Sequence, residues 1–493
     1  MDACFKMKVS NLIARRIKQE VDTVFGITGG NIVNLVDSFY REGLKIISMH
    51  HEQSAAIAAD AYARFKGFGV CYGTSGPGTT NLITGTCCSY YDSIPVLTIG
   101  GQVPRKYLNK KDRQTGFQEV DGVSLFKPIT KYSKRMEKLE DLEDAIRIAK
   151  SGRPGPAFLE ICDDYQRENA EWDNGKSTGL ITSDHPHLCE SLRRRFDSSF
   201  RKLAIAKKPL VIVGSGARNM PLELKVPFLY TWGIKDKFYD NSYCKGDFGV
   251  TGSPNGNRMT KESDLILMIG TRMDTHQAPN WDKFAPQAYK IAIGLEFPHK
   301  VDEKIDCLLD FPLRLKGRNW GKREENKSKG QLYEFVDYLN YCSREGDIII
   351  PDMGQTGCIV WQRWKPKKNQ RLFNGINHSP MGYSLPASIG ASLATDRNIK
   401  VIIGDGSLMM NLQDLQTIKD LNLPIEIYVI NNGGYGMLRQ TQKDWEKYLG
   451  QGIACNFKIP DVNKLRELFG INIQEIKFKD TTISPKWKWG KKL

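Results

Sequence analysis

A chain of 493 residues, 40% hydrophobic and 26% charged, has room for about three packed domains and holds no uninterrupted apolar run long enough to span a bilayer. Its net charge of +15 is spread widely, with concentrations only at Arg193–Arg195 and over the last eight residues. No zinc-finger or RRM signature accompanies it, so the charge reads as a solvated surface with no nucleic-acid partner. The N-terminus lacks a secretory apolar region, and the 11 cysteines form no C-x-x-C pair, so a cytoplasmic protein with reduced, mostly buried thiols is expected.

In chain order, Val24–Ile27 and Leu44–Met49 read as short buried strands. Ala55–Phe65 reads as an alanine-rich helix, and Ile94–Ile99 and Ala157–Ile161 as further strands. A polar stretch, Gln166–Pro186, reads as a linker. Leu210–Val213 and Asp264–Gly270 are apolar strands ending in glycine turns, and a second charged linker covers Lys316–Gly330. Asp347–Pro351, Lys400–Ile403 and Ile425–Ile430 follow as central strands, with a helix over Asn411–Asp420. Strands alternating with helices predict an α/β chain of three doubly wound units, each a mostly parallel sheet flanked by helices. Their expected bounds are 1–165, 190–316 and 331–493.

The chemistry starts at Gly404-Asp405-Gly406-Ser407, an acidic residue at the carboxyl end of a buried strand, where open α/β sheets bind ligands. The flanking glycines admit a close ligand, and a following helix favours phosphate. The next strand ends in Asn431-Asn432-Gly433-Gly434. A carboxylate and an amide oxygen at one sheet edge suit Mg²⁺, which prefers oxygen and holds diphosphate. Gly-Asp-Gly, strand–helix–strand, then Asn-Asn resembles the diphosphate-binding motif of thiamine-diphosphate enzymes. The resemblance implies Mg²⁺ on Asp405, Asn432 and the Gly434 carbonyl. It implies cofactor contacts from Gly404, Gly406, Ser407, Tyr435, Gly436 and Met437. Met381, within Asn377–Pro386, takes the place of the apolar wedge between the cofactor's two rings.

Such cofactors need one glutamate in an apolar setting to share a proton with the aminopyrimidine. Glu52, in His50-His51-Glu52-Gln53, sits where a strand ends and the alanine-rich helix begins. His51 is open to a structural or a catalytic role, and His50 leans structural. Gly73–Asn81, which contains Ser75 and Gly76, Pro95–Pro104, Gly116–Asp121 and Gly152–Pro156 resemble the pyrimidine-binding domain of the acetolactate synthase family. The likeness runs from about Val9 to Gly470. It implies that Gly29 and Gly30 line the reacting centre, that Gln102 and Gln118 face the substrate, and that the active site lies between subunits of a homodimer or dimer of dimers.

The family resemblance implies that pyruvate loses CO₂ and its two-carbon unit passes to a second keto acid or a keto-sugar. Two alternatives stay open: a 2-keto acid decarboxylase, or a cofactor-binding relative with little activity. Thr441 stands where biosynthetic acetolactate synthases carry a tryptophan that selects the acceptor. The Arg439–Gln442 context is closer to relatives found with polysaccharide enzymes. The family's central domain holds FAD; here Gly214-Ser215-Gly216 and Gly270-Thr271-Arg272 lack the full G-x-G-x-x-G, leaving either a FAD site or an empty domain. From Lys477 the sequence turns polar and basic, so the family's covering segment is expected to be shortened.

Overall fold

The computed structural model describes residues 6–108, 112–170, 190–298, 300–307, 311–324, 327–445, 458–478 and 483. They fall into two compact units: Met1–Leu180, Asn374–Val429 and Ile459–Ile476 make one, and Ile181–Phe373, Ile430–Lys458 and Lys477–Leu493 the other. The elements build mostly parallel sheets flanked by helices, the fold class expected.

In the first unit a six-stranded sheet runs in the order Lys45–Ser48, Thr23–Gly26, Gly69–Gly73, Val96–Gln102, Ala157–Cys162, Tyr132–Arg135, every pair parallel. Its three central strands Gly69–Gly73, Val96–Gln102 and Ala157–Cys162 are buried along their whole length, as a parallel sheet covered on both faces requires. Ordered structure continues past the expected linker start. Gln166 is buried, accepts a hydrogen bond from Leu35 N and donates to Asn31 O, and Asn169–Ala170 pairs antiparallel with Met7–Lys8. The rest of that linker, 171–189, lies outside the described residues.

The helix Glu52–Lys66 is capped by His51 and ends at Gly67, whose φ of 86° suits the left-handed turn that closes it. Its alanines let neighbours come close on more than one side. A Cβ on Gly390, in the helix Ser384–Ala394, would lie 2.0 Å from Ala58 O, and one on Gly85 would lie 2.4 Å from Ala56 Cβ. Midway along it the buried Asp60 accepts from Arg64 Nε (2.8 Å), Ser89 Oγ (3.0 Å) and Tyr383 OH (2.5 Å), while Arg64 also reaches Asp92 (2.7 Å). The buried charge is thus paired and hydrogen-bonded, the condition under which such a group is tolerated.

The same unit holds the strand Ile399–Gly404 and most of its neighbours Ile425–Asn431 and Asn472–Lys477. The helix expected over Asn411–Asp420 begins three residues later, as Asp414–Asp420, and a separate four-residue turn, Asp405–Leu408, opens at the aspartate itself. Asn411 is drawn out of helical pairing because its side-chain Nδ2 donates to Gly382 O (2.8 Å). Asp414 accepts from Ser54 Oγ (2.8 Å), and His50 Nδ1 bonds Thr417 Oγ1 (3.0 Å), so the short helix is fastened to the N-terminal turn of Glu52–Lys66. Burial pushes the Asp414 carboxyl up to about 7, against the lowering effect of the Ser54 bond.

In the second unit a five-stranded parallel sheet runs Phe228–Tyr230, Pro209–Val213, Leu265–Ile269, Tyr289–Gly294, Glu303–Asp306. Alternate residues feed two cores. Val211, Val213, Leu267 and Ile269 pack with Phe196 and Phe228; Leu210, Ile212, Ile266 and Met268 pack with Phe248, Met259 and Phe284. The crossover from Pro209–Val213 to Phe228–Tyr230 contains no α-helix. A three-residue 3₁₀ turn, Ser215–Ala217, leads to the strand Leu222–Lys225, which pairs in parallel with Leu313–Lys316. Arg193–Arg195 lie exposed on the helix Glu190–Ile205. Eight free cysteines are present among the described residues, five of them buried. No helix among the described residues is long and apolar enough to cross a membrane.

Candidate active site

Glu52 is the first residue of its helix and is 8% exposed. Its Oε2 accepts from Asn81 Nδ2 at 3.0 Å, and Oε1 carries no hydrogen bond among the described residues. Oε1 lies 3.3 Å from the position a Cβ would take on Gly78, so a larger residue there would press on it. His51 Nδ1 accepts from Gln53 N (3.0 Å), which gives this ring the structural role of an N-cap and places any proton of the neutral ring on Nε2.

Around this carboxylate the glycine-rich segments converge. A Cβ on Gly29 would stand 2.6 Å from Thr74 Cβ, whereas one on Gly30 would meet nothing within 4 Å. Asn31 Nδ2 donates to Ser75 Oγ (2.6 Å), joining the 29–31 turn to the 73–81 segment. Gly76, at φ 61°, abuts Gln118: a Cβ on Gly76 would lie 2.9 Å from Gln118 O. Gln118 itself takes a φ of 65°, which a non-glycine residue adopts at a cost and which clusters at functional sites. Thr74 Oγ1 is buried without a hydrogen-bond partner. These segments bring together open space at Gly30, an acid with one unengaged oxygen and an orphaned hydroxyl.

Gln102 lies elsewhere than its position at a strand end suggests. It is fully enclosed, and both ends of its amide are bonded to the chain: Nε2 to Val120 O (2.6 Å) and Glu160 Oε1 (2.9 Å), Oε1 to Val103 N (2.9 Å). Asn81, Asn31 and Thr74 are the residues that sequence reading passed over. Asn81 closed a segment already singled out, but nothing in sequence tells that its amide turns back 29 positions to Glu52.

Asp405 is buried directly after the strand Ile399–Gly404, and its Oδ1 accepts from Gly406 N at 2.8 Å. Met381 is half-buried on a segment held from two sides. Asn411 bonds Gly382 O, and Asn377 Nδ2 donates to Asp92 Oδ1 (2.6 Å). Ser407 is buried, and its carbonyl oxygen would lie 3.3 Å from a Cβ on Gly382.

In the second unit Asn432 follows the last residue of the strand Ile425–Asn431. Gly433 and Gly434 take φ of 75° and 129°, turning the chain sharply before the helix Gly436–Trp445. Arg439 grips that turn, donating to Asn432 O (2.7 Å) and Gly433 O (3.0 Å). A Cβ at Gly436 would lie 2.0 Å from Gln355 Oε1, so a larger residue there would displace the Gln355 side chain. Tyr435 and Met437 are half-buried beside it. Ile483 is buried and exchanges two hydrogen bonds with Gln440, so the chain returns to this helix at that point. Residues 484–493, on which the expectation of a shortened covering segment largely rests, lie outside the described residues.

The glycine turns of the central sheet do not fit a dinucleotide. Gly214 N donates to Ile269 O (2.8 Å), Gly216 N to Gly270 O (3.0 Å) and Ala217 N to Gly214 O (3.0 Å). A Cβ on Gly214 would stand 2.4 Å from Gly270 O, so these glycines serve backbone-to-backbone packing. The amides of Gly214, Gly216, Ala217 and Gly270 are engaged by carbonyls of the chain, and the turn behind them is three residues of 3₁₀ helix, too short to supply a helix dipole.

Comparison with known proteins agrees with the pyrimidine and diphosphate motifs. Residues 7–125 match the family described as thiamine pyrophosphate enzyme, N-terminal TPP binding domain. Residues 197–303 match its central domain, and 352–486 its C-terminal TPP binding domain. The acetolactate synthase isozyme 2 large subunit of Escherichia coli (strain K12) is 31% identical over 94% of this chain and 89% of its own length. The acetolactate synthase large subunit of Cyanidium caldarium is 30% identical over 93% and 87%. The probable acetolactate synthase large subunit of Methanococcus aeolicus is 28% identical over 93% and 86%. With three cofactor-domain matches and such relatives along nearly its whole length, the chain belongs to the thiamine-diphosphate-dependent enzymes of the acetolactate synthase large-subunit family.

Proposed function

We propose that the protein decarboxylates pyruvate and transfers the two-carbon unit to a second carbonyl compound, a keto acid or a keto-sugar. The observation that carries this reading is Glu52: a buried carboxylate at a helix start, one oxygen fixed by Asn81 and the other unengaged, beside the glycine-rich 73–81 segment. In its bound form thiamine diphosphate supplies the carbon nucleophile and the electron sink. Glu52 shares a proton with the pyrimidine ring nitrogen; Asn81 keeps its other oxygen from turning away. Gly29, Gly30, Ser75 and Gly76 border that ring, and Met381 packs between the two rings. Asp405, Asn432 and the Gly434 carbonyl hold Mg²⁺, with Gly404, Gly406, Ser407, Tyr435, Gly436 and Met437 around the diphosphate. Gln118 faces the substrate. The three functional regions are 1–165 for the pyrimidine, 190–316 as the central domain and 331–493 for the diphosphate, and two subunits complete each site in a cytoplasmic homodimer or dimer of dimers. FAD has no part in this reading. Thr441, in place of a bulky indole, favours an acceptor larger or more polar than a simple keto acid.

The test uses purified protein with thiamine diphosphate, Mg²⁺, pyruvate and a panel of acceptors that includes keto-sugars, with products identified by mass spectrometry. Release of CO₂ with a two-carbon adduct is expected. No turnover on any 2-keto acid would overturn the proposal.

A further inference from the structure

Gln102 ends its strand, Glu160 lies within the adjacent one two residues before its end, and both are buried almost completely. Glu160 Oε1 accepts from Gln102 Nε2 (2.9 Å) and from Gly122 N (3.1 Å); its Oε2 accepts from Arg135 Nε (2.5 Å). Gln102 Nε2 also donates to Val120 O (2.6 Å). The pair therefore holds the main chain at both Val120 and Gly122. Immediately before this anchor the chain bonds to itself: Glu119 Oε2 accepts from Thr115 N (2.9 Å) and Gly116 N (3.0 Å), and Glu119 N donates to Gly116 O (3.0 Å). Gln118 lies in that turn, in its left-handed conformation, against Gly76. Burial pushes the Glu160 carboxyl up, while Arg135, Gln102 and Gly122 favour its charged form. A carboxyl so enclosed is a fixed point, not a group that meets substrate.

We infer that Gln102 and Glu160 form a buried clamp that sets the position of the Gly116–Gly122 segment, so that Gln118 alone is the glutamine presented to substrate and Gln102 is a positioning residue. The inference rests on reading the space beside Glu52 as the pyrimidine half-site. Small displacements near reacting atoms cost as much as about 10²-fold in rate. The clamp's value therefore lies in where it places Gln118.

The experiment compares Gln102→Met, which keeps the length and removes the hydrogen bonds, with Gln118→Ala and the double variant, all loaded with thiamine diphosphate and Mg²⁺. Backbone amide exchange over 116–122, read by mass spectrometry, should quicken in Gln102→Met, while exchange of the cofactor's C2 proton keeps its wild-type rate. Its kcat/KM for pyruvate should fall roughly 10- to 100-fold, and adding Gln118→Ala should cost less than about threefold more, because coupled residues are not additive. Unchanged amide exchange, or effects of the two substitutions that multiply, would overturn the clamp. Should Gln102→Met fail to fold, Glu160→Gln is read by the same two criteria. A wild-type protein without C2-proton exchange would sink the pyrimidine reading instead, and the amide exchange would still decide the clamp.

Discussion

Glu52 and Asn81 make a unit whose two halves can be separated by substitution. Glu52→Gln keeps shape and burial but cannot share a proton in the same way; turnover should drop by about 10²–10⁴ with cofactor binding retained. Steady-state rates and NMR of the C2 proton check this, and exchange at the wild-type rate would remove Glu52 from the role. Asn81→Leu leaves the acid in place but frees its Oε2. A hydrogen bond to a charged group is worth about 1.5–3 kcal/mol, so a loss of roughly 10- to 100-fold in kcat is expected. Calorimetry should show unchanged cofactor affinity; an Asn81→Leu enzyme as fast as wild type would leave the 3.0 Å contact without a catalytic consequence. At this scale the acid was legible because a strand end, a helix start and the letters His-His-Glu-Gln coincide. Its holder was not, because a hydrogen bond across 29 positions leaves no local pattern. Gln102 misleads for a related reason: an amide at a strand end looks solvent-facing until the neighbouring strand's Glu160 is known to lie beneath it.

Among the elements, the helix Glu52–Lys66 is buried along most of its length and closely packed. Gly390→Ala would drive a methyl into Ala58 O, where the ideal Cβ falls at 2.0 Å; overpacking of this kind costs about 1–3 kcal/mol or more. A lower melting temperature, with the cofactor affinity of the surviving fold unchanged, is the expected result. The fastening of the helix Asp414–Asp420 brings a pH dependence. The Asp414 carboxyl, at about 7 in the fold against about 3.9 in an unfolded chain, gives stability that is fully present below about pH 4. That stability is lost as pH rises through about 7, a swing on the order of 4 kcal/mol by linkage. Asp414→Asn imitates the protonated acid and should raise the melting temperature at pH 8 while leaving it nearly unchanged at pH 4. Equal melting curves for the two proteins at pH 8 would contradict it. Strands were the legible elements, since short β-branched runs such as Val401–Ile403 have one sensible reading. The late start of the helix at Asp414 was not, because it depends on Asn411 finding Gly382 O.

For the whole molecule, the α/β class and the kind of cofactor followed from strand–helix alternation and two short motifs. The fate of the central sheet did not. Two glycine turns in sequence invite a dinucleotide, and only coordinates reveal that Gly214 and Gly270 face each other with their amides engaged. Protein purified without added flavin should show no absorbance band near that of oxidised flavin and release none on denaturation. Stoichiometric FAD in either measurement would reverse this conclusion.

That seam of glycines has a physiological corollary. An enzyme that carries FAD depends on riboflavin supply and exposes a redox-active ring to the state of the cell. A protein whose central sheet closes on itself would keep working in riboflavin-starved cells, and its output would track thiamine and magnesium alone. Riboflavin limitation in a growth experiment would then leave its output unchanged, whereas thiamine limitation would lower it.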